Sequence, residues 1–422
     1  MNISGWSRDS GTSRYDPEGF QEEFTSFVKQ VTNKPVLGVG RFTSPDTMVS
    51  QIKRGVLDVI GSARASIADP FLPLKIREGR GDDIRECIGC NVCVSVENAG
   101  VVVRCTQNPT MSEEWRRGWH PETVPLAKTP ETVLIVGGGP AGLEAALTLA
   151  RAGHAVTLAE ARSEMGGRVA TESRIKNLAA WGRVRDYRLY QLQQLAHVTL
   201  YTDSALEADA VAEFGADHVL LATGSQWVRD GAGRSRLDPI NGFAQAALTP
   251  DDLAQGTQPQ GTVLIYDDDH SYMANALAAD LAAKGHAVHL VSPMPSMAGW
   301  LGNTLEQPRM LAEMLALGVT MHPNTTATAW ANGALQAIRS DTGQALPPIA
   351  ADTLLAVTLR HPATALSKAL TECGIEHRVI GDAEAPGPIQ AAVFSGHRHA
   401  REVLGTEPED RLFKRERPML FD

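Results

Sequence analysis

Four of the five cysteines crowd between positions 87 and 105, in the order Cys87-Ile-Gly-Cys90-Asn-Val-Cys93 with Cys105 in a following loop. Three thiolates at such tight spacing wrap one face of a metal cluster, and a fourth completes the all-cysteine set of a [4Fe–4S] centre. Zinc is the rival occupant, although zinc ribbons usually pair two CxxC knuckles at longer separation; free thiols are the bland alternative. A secreted disulfide framework would spread its cysteines more widely, so this clustering points to a reducing compartment. Cys373 stands apart and reads as a buried structural residue.

A second constellation is Gly137-Gly138-Gly139-Pro140-Ala141-Gly142, placed between the strand-like run Val133–Val136 and a helical pattern, with Glu160 closing the next strand. In such a unit Gly137 permits the tight turn, Gly139 lets backbone approach a pyrophosphate and Gly142 lets helix and strand pack. The helix start offers free N–H groups and a positive dipole end, and Glu160 can accept hydrogen bonds from an adenosine ribose. ADP and FAD present the same groups to this site.

These residues need a scaffold, and the sequence repeats one. VLIVGGGPAGLEAALTLARAGHAVTL, starting at Val133, aligns with VLIYDDDHSYMANALAADLAAKGHAVHL, starting at Val263. Two copies of a βαβ unit imply two dinucleotide-type domains, the second inserted into the first, with closing strands at Asp217–Ala222 and Thr353–Val357. The second copy carries Asp267, Asp268 and Asp269 in place of the glycines, and Tyr272 where Gly142 stands. Carboxylates repel a pyrophosphate, so the fold is expected without its ligand; helix N-capping by Asp is a sufficient reason for the acids.

Upstream, Pro35–Val39 and Val56–Ile60 read as strands, followed by Gly38-Val39-Gly40-Arg41 and Gly61-Ser62-Ala63-Arg64. Glycine backbone plus arginine suits the phosphate site after the last strands of a (β/α)8 barrel, and ordinary βα turns with surface arginines suit the same residues equally well. A complete barrel of about 250 residues does not fit before Cys87. The fold class is therefore α/β: a βα segment over residues 1–82, part of a (β/α)8 barrel on the first of those two readings, a cysteine segment and linker over 83–128, one nucleotide domain over 129–228 and 352–422, and the inserted domain over 229–351. The tail from Arg411 is charged and peripheral.

Composition narrows the class. The 422 residues are 43% hydrophobic, 21% charged and 5% aromatic, as in an ordinary globular protein. A net charge of −10 argues against general nucleic-acid binding and against riding on anionic membrane. No uninterrupted apolar run reaches the ~18 residues of a spanning helix, and a cytoplasmic location is the default expectation.

CIGCNVC with Cys105-Thr106-Gln107-Asn108, then Arg116-Arg117-Gly118-Trp119-His120-Pro121, VLIVGGGPAG, Gly381-Asp382-Ala383-Glu384-Ala385-Pro386 and Gly396-His397-Arg398 together resemble the iron–sulfur flavoprotein family of trimethylamine and dimethylamine dehydrogenases. Histamine dehydrogenase and N-methylproline demethylase are related members. The 2,4-dienoyl-CoA reductases are more distant, with one more residue than stands between Cys90 and Cys93. The resemblance runs over essentially the whole chain. It implies an old-yellow-enzyme-like barrel holding FMN, the cluster, and a glutathione-reductase-like pair of domains, with electrons from an oxidised C–N bond leaving to a carrier flavoprotein.

By resemblance, Gly40, Arg41 and Arg64 match the FMN-phosphate end, and Trp6 and Asp9 match a loop near substrate. Cys87, Cys90, Cys93 and Cys105 match the cluster ligands. Gly137, Gly139, Gly142 and Glu160 match the ADP or FAD site, with Gly167, Arg168 and Asp382 counted with it. Asp186-Tyr187-Arg188 matches a surface near the cluster where a carrier could dock; a solvated helix face explains it as well. Leu359 stands where a glycine is usual, a further mark against nicotinamide docking.

Nothing in the chain matches the first five barrel strands, so the family's flavin-linking Cys and its Tyr/His pair are absent, and FMN is expected only if the barrel is completed, as by a second chain. The leading expectation is the electron-transfer portion of an amine dehydrogenase or demethylase acting on a small amine. An NAD(P)H-fed reductase subunit and an inactive truncated remnant are the other two classes.

Overall fold

The computed structural model describes residues 12–98 and 100–405. Trp6, Asp9 and the tail from Arg411 therefore lie outside the described residues.

The first sheet has five parallel strands in the order Arg378–Val379, His218–Leu221, Thr132–Val136, Ala155–Ala159, Val198–Tyr201. The second has the order Thr320–His322, Val288–Val291, Val263–Asp267, Thr353–Val357, Ala247–Leu248, again parallel throughout. Both central strands are near-continuous apolar runs because helices cover both of their faces. Every strand of the second sheet falls between His218–Leu221 and Arg378–Val379 in sequence, so the second unit is an insertion in the first. The chain leaves and returns through Ser225–Trp227 and Arg360–Pro362, which pair antiparallel as a two-stranded connector. The architecture is mixed α/β with Rossmann-like parallel sheets.

Helix Pro140–Arg151 is the pivot of the first unit. Proline occupies its first turn, where no N–H is needed, and nearly every residue from Ala141 to Ala150 is buried. Helix Ile389–Val403 crosses it where Gly396 meets Ala141; a Cβ on Gly396 would lie 2.2 Å from the Ala141 carbonyl oxygen. Helix Arg183–Gln193 packs against it as well, so the glycine loop is carried on a helix held from two further helices.

The N-terminal part forms two short parallel strands, Leu37–Val39 and Val59–Gly61, with helices Pro45–Lys53, Arg64–Ala68 and Leu72–Arg77 around Phe42, Met48, Leu57 and Ile84. The second strand starts later than the sequence suggests because the Val56 and Leu57 N–H groups close the preceding helix on the Gln51 carbonyl. Leu37, Val39 and Val59 are exposed. This part is joined to the inserted unit by an Arg14–Glu306 ion pair of 2.9 Å with both side chains buried, by Asp16 against Arg309, and by an Asn91 to Thr304 hydrogen bond of 3.0 Å.

Three expectations need correction. Cys373 is exposed, at the C-terminal end of helix Ala365–Glu372, not buried. In Asp186-Tyr187-Arg188 only Asp186 faces outward: Tyr187 and Arg188 are buried, the latter because Glu144 lies within 2.8 Å and neutralises it. The acids of the second glycine-loop equivalent do not cap a helix. The helix starts at Met273 with Tyr272 as N-cap, while Asp267 ends the strand, fully buried. Among the described residues no helix is long and apolar enough to cross a membrane.

Candidate cofactor-binding sites

Strand Thr132–Val136 delivers the chain to Gly137 at φ 109°, where a Cβ would lie 2.3 Å from the Ala222 carbonyl oxygen. Only glycine makes that turn. Gly142 allows the helix to begin directly on the turn, since a Cβ there would be 1.9 Å from the Gly137 oxygen. Between them Gly139 is the N-cap of the helix in extended conformation, and the first turn opens on a cavity of about 640 Å³. Gly167 faces Gly139 so closely that a Cβ on it would come within 2.9 Å of the Gly139 Cα. Bare backbone on both sides leaves a slot for a pyrophosphate at a helix N-terminus.

Glu160 is buried, and its Oε2 accepts the Gly138 N–H at 2.8 Å while Oε1 accepts the Arg162 N–H at 3.0 Å. It braces the loop and lines the cavity, where a ribose hydroxyl would meet its carboxylate. Arg168 and Asp382 stand at another part of the same wall. Arg168 Nη1 lies 2.9 Å from Asp251, and its Nη2 donates to the Ser225 carbonyl at 2.7 Å. Asp382 pairs with Arg360 at 2.5 Å and accepts the Ser225 hydroxyl at 2.9 Å. Gly137, Gly139, Glu160, Gly167, Arg168 and Asp382 thus line one cavity, with Gly142 packed behind it.

The cysteines form a separate centre. Cys87, Cys90, Cys93 and Cys105 lie within electrostatic reach of one another, and burial pushes the thiols of Cys90, Cys93 and Cys105 up to about 12. Backbone N–H groups point at the sulfurs: Val92 at Cys90, Val94 at Cys93, Gln107 and Asn108 at Cys105. The Cys90 sulfur is also 3.2 Å from the Thr106 hydroxyl. The four residues are half-buried, and thiols raised in this way ionise when a cation or metal compensates them. Among the described residues, no group of three or more His, Cys, Asp or Glu closes around a single ion.

Arg64 lies within electrostatic reach of Cys87, Cys93 and Cys90, and of Arg41. Burial lowers its pKa, and its guanidinium bonds Thr12 and the Asn91 side chain, the latter at 2.6 Å. Arg41 has a left-handed backbone at φ 50°, donates to the Asp16 carbonyl at 2.6 Å, and holds its Nε buried with no partner among the described residues. Gly40 is explained by packing: a Cβ there would strike Phe42 at 2.7 Å and Gly19 at 2.8 Å. Gly40, Arg41 and Arg64 therefore gather beside the cysteines, away from the glycine-loop cavity.

The acid turn of the inserted unit is closed by its own chain. Asp268 accepts the Ser235 N–H at 3.0 Å and lies 2.8 Å from His270 Nε2, and its backbone oxygen accepts the Arg234 N–H. A Cβ on Gly233 would be 2.0 Å from the Asp268 carboxylate. Asp267 accepts the His270 N–H at 2.9 Å, and burial raises its pKa to about 7. Carboxylates and a covering loop stand where a pyrophosphate would need bare N–H groups, so the residues do not fit a dinucleotide.

The model of the pyridine nucleotide-disulphide oxidoreductase family matches residues 111–181 and 131–384. The chain belongs to that family. The NADH:flavin oxidoreductase / NADH oxidase family model matches residues 5–83. Dimethylamine dehydrogenase of Hyphomicrobium sp. is 38% identical over 451 residues, covering 98% of this chain and 61% of that protein. Histamine dehydrogenase from Rhizobium sp. 4-9 superposes with a TM-score of 0.93 at 45% identity, over 98% of this chain and 62% of that one. The amine oxidase for 6-hydroxypseudooxynicotine from Pseudomonas geniculata N1 gives 0.91 at 46%, over 94% and 61%. Within its family the chain is thus related to the amine dehydrogenases and demethylases, and it spans about three fifths of the length of these relatives.

Sequence reasoning missed the supporting groups. Thr43 accepts the Cys87 N–H at 2.8 Å, and Gln107, Arg188 and Glu144 tie the Cys105 loop to the first nucleotide unit. Only Gln107, two residues after Cys105, carried a local signal.

Proposed function

We propose that this chain is the electron-transfer portion of an iron–sulfur flavoprotein oxidoreductase that oxidises C–N bonds of small methylated amines and passes electrons to a carrier flavoprotein. The observation that carries this reading is the set of four cysteines within electrostatic reach of one another, three of them accepting backbone N–H bonds at sulfur and Cys87, Cys90 and Cys93 within electrostatic reach of Arg64, in a chain related to amine dehydrogenases. When bound, a [4Fe–4S] cluster supplies a one-electron relay and FMN the two-electron acceptor for the amine.

The chain's own residues would act around those groups. Cys87, Cys90, Cys93 and Cys105 would ligate the cluster, with the N–H groups of Val92, Val94, Gln107 and Asn108 stabilising thiolate charge. Arg41 and Arg64 would hold an FMN phosphate if the barrel is completed, as by a second chain; the orphaned Arg41 Nε is a donor for it. Gly137, Gly139 and the first turn of helix Pro140–Arg151 would bind the pyrophosphate of ADP or FAD, with Gly142 packing the helix, Glu160 on the ribose and Gly167, Arg168 and Asp382 along the wall. Asp9 is the acidic residue proposed near the amine. A cytoplasmic setting suits a cluster that reducing conditions protect.

The test is cofactor content after anaerobic purification and reconstitution, with Cys90→Ala alongside. The reading expects about four irons per chain, an acid-extractable adenine nucleotide, and loss of iron alone in the variant. Unchanged iron in Cys90→Ala overturns it. Bleaching of a bound flavin by NADH or NADPH would favour a reductase instead.

A further inference from the structure

Helix Arg183–Gln193 reaches both cysteine-bearing segments with arginines. Arg183 pairs with Glu86 at 2.8 Å, next to Cys87. Arg188 is fully buried and fans across four acceptors: Nε donates to Glu144 at 2.8 Å, Nη1 to the Gln107 side chain at 3.0 Å and to the Val184 carbonyl at 2.8 Å, and Nη2 to the Gln107 carbonyl at 3.1 Å. Gln107 spends its own amide on the Cys87 segment and on the start of the helix, donating Nε2 to the Glu86 carbonyl at 3.0 Å and to the Arg183 carbonyl at 3.3 Å. Its backbone N–H points at the Cys105 sulfur.

One glutamine therefore staples the Cys105 loop to the segment entering Cys87, and one arginine fixes that glutamine on both its carbonyls. A planar guanidinium with five donors satisfies this buried set; an ammonium offers three donors from one point and cannot span it. Burying the pair is unfavourable in itself, and hydrophobic replacements of buried ion pairs are often as stable, so its presence calls for a positional reason. Glu144 belongs to the helix that starts at the glycine loop. Burial works to raise its pKa, but the Arg188 cation and the His397 hydrogen bond prevail and hold it at about 2, so the pair is ionised.

We infer that Arg188 is a positioning residue for the cysteine cage: acting through Gln107, it sets the Cys105 loop against the Cys87 segment so that the four thiolates meet around one cluster. This rests on the proposed reading of the cysteines as cluster ligands.

The test compares the reconstituted full chain with Gln107→Leu, Arg188→Met and Arg188→Lys. Iron loss to a chelator is followed by the decay of the thiolate-to-iron absorption, the dithionite-reduced form is examined by electron paramagnetic resonance, and a fluorescent ADP analogue reports the integrity of the nucleotide unit. Removing an outer partner of a metal ligand weakens retention roughly ten- to a hundredfold. Loss that much faster is expected in Gln107→Leu and Arg188→Met, with an altered resonance spectrum, ADP affinity within about twofold because the sites are separate, and an intermediate rate in Arg188→Lys. If Arg188→Met fails to fold, Gln107→Leu decides, since it leaves the Arg188–Glu144 pair in place. Iron retention in Gln107→Leu equal to the parent overturns the inference alone, as does parallel loss of ADP binding in every folded variant. A parent chain that holds no iron overturns the reading of the cysteines and this inference with it.

Discussion

Asp267→Asn tests whether the inserted unit has traded its ligand site for a buried acid. Asp267 has no exposed surface, ends the central strand, and leaves its Oδ2 without a partner among the described residues. Burial raises its pKa from 3.8 to about 7, against lowering by the His270 N–H and charge. A tenfold change in a protonation equilibrium corresponds to about 1.4 kcal/mol, so ionising this carboxyl in the folded chain costs on the order of 4 kcal/mol more than in the unfolded one. Below the unfolded value both states are protonated and no penalty arises. As pH rises from about 4 to about 7 the unfolded chain releases the proton first, and stability falls until the folded group ionises too. An asparagine carries no such burden. The stability of the variant relative to the parent should therefore climb across that window and level off above it. The assay is urea unfolding with a probe in the inserted unit, repeated from about pH 3 to about 8.5 so as to bracket both ionisations. A difference between variant and parent that stays flat with pH refutes the reasoning.

The glycine loop gives the remaining expectations. Gly139→Asp should abolish binding of an ADP analogue while leaving iron content unchanged, and loss of both together would show that the glycine supports folding more than binding. Gly142→Ala places a methyl 1.9 Å from the Gly137 oxygen, which cannot be relieved without moving backbone; a loss of roughly 1–3 kcal/mol is expected by chemical denaturation, and no change would contradict the packing. NADH and NADPH, titrated by calorimetry, should produce no binding heat at the inserted unit; saturable binding removed by a substitution at Ser235 or Asp268 would reverse that conclusion.

What the sequence disclosed depended on how local each signal is. The central strands of both sheets were legible because apolar runs buried on both faces leave no other reading, and the alignment of Val133 with Val263 exposed the repeat. The glycine loop was legible because turn, cap and helix packing each require glycine within one short segment. The N-terminal strand Val59–Gly61 was misplaced because the Val56 and Leu57 N–H groups close a helix, a competition that a run of valine and isoleucine does not reveal. Arg188 read as solvent-facing because its partners come from distant parts of the chain, Glu144 and Gln107, and only tertiary pairing makes an arginine buriable. The loop over Asp268 was equally silent, since Gly231-Ala232-Gly233-Arg234 resembles any surface turn until it is seen resting on a carboxylate.

The inserted unit hangs from the first on the two connector strands, an attachment that by itself makes a hinge. Tyr272 donating to Glu172 and Asn177 donating to Glu313 tie the two units directly, and the Arg14–Glu306 pair and the Asn91 to Thr304 bond add support from the segment that also carries the cysteines. A body held at several separated points cannot swing about any of them without breaking the others, and the buried pair resists being opened to a single unpartnered ion. The consequence is kinetic. If the proposed electron transfer runs through such a frame, it has no domain rotation to wait for, and its rate would be left to the distances between centres and to the frequency with which an acceptor arrives.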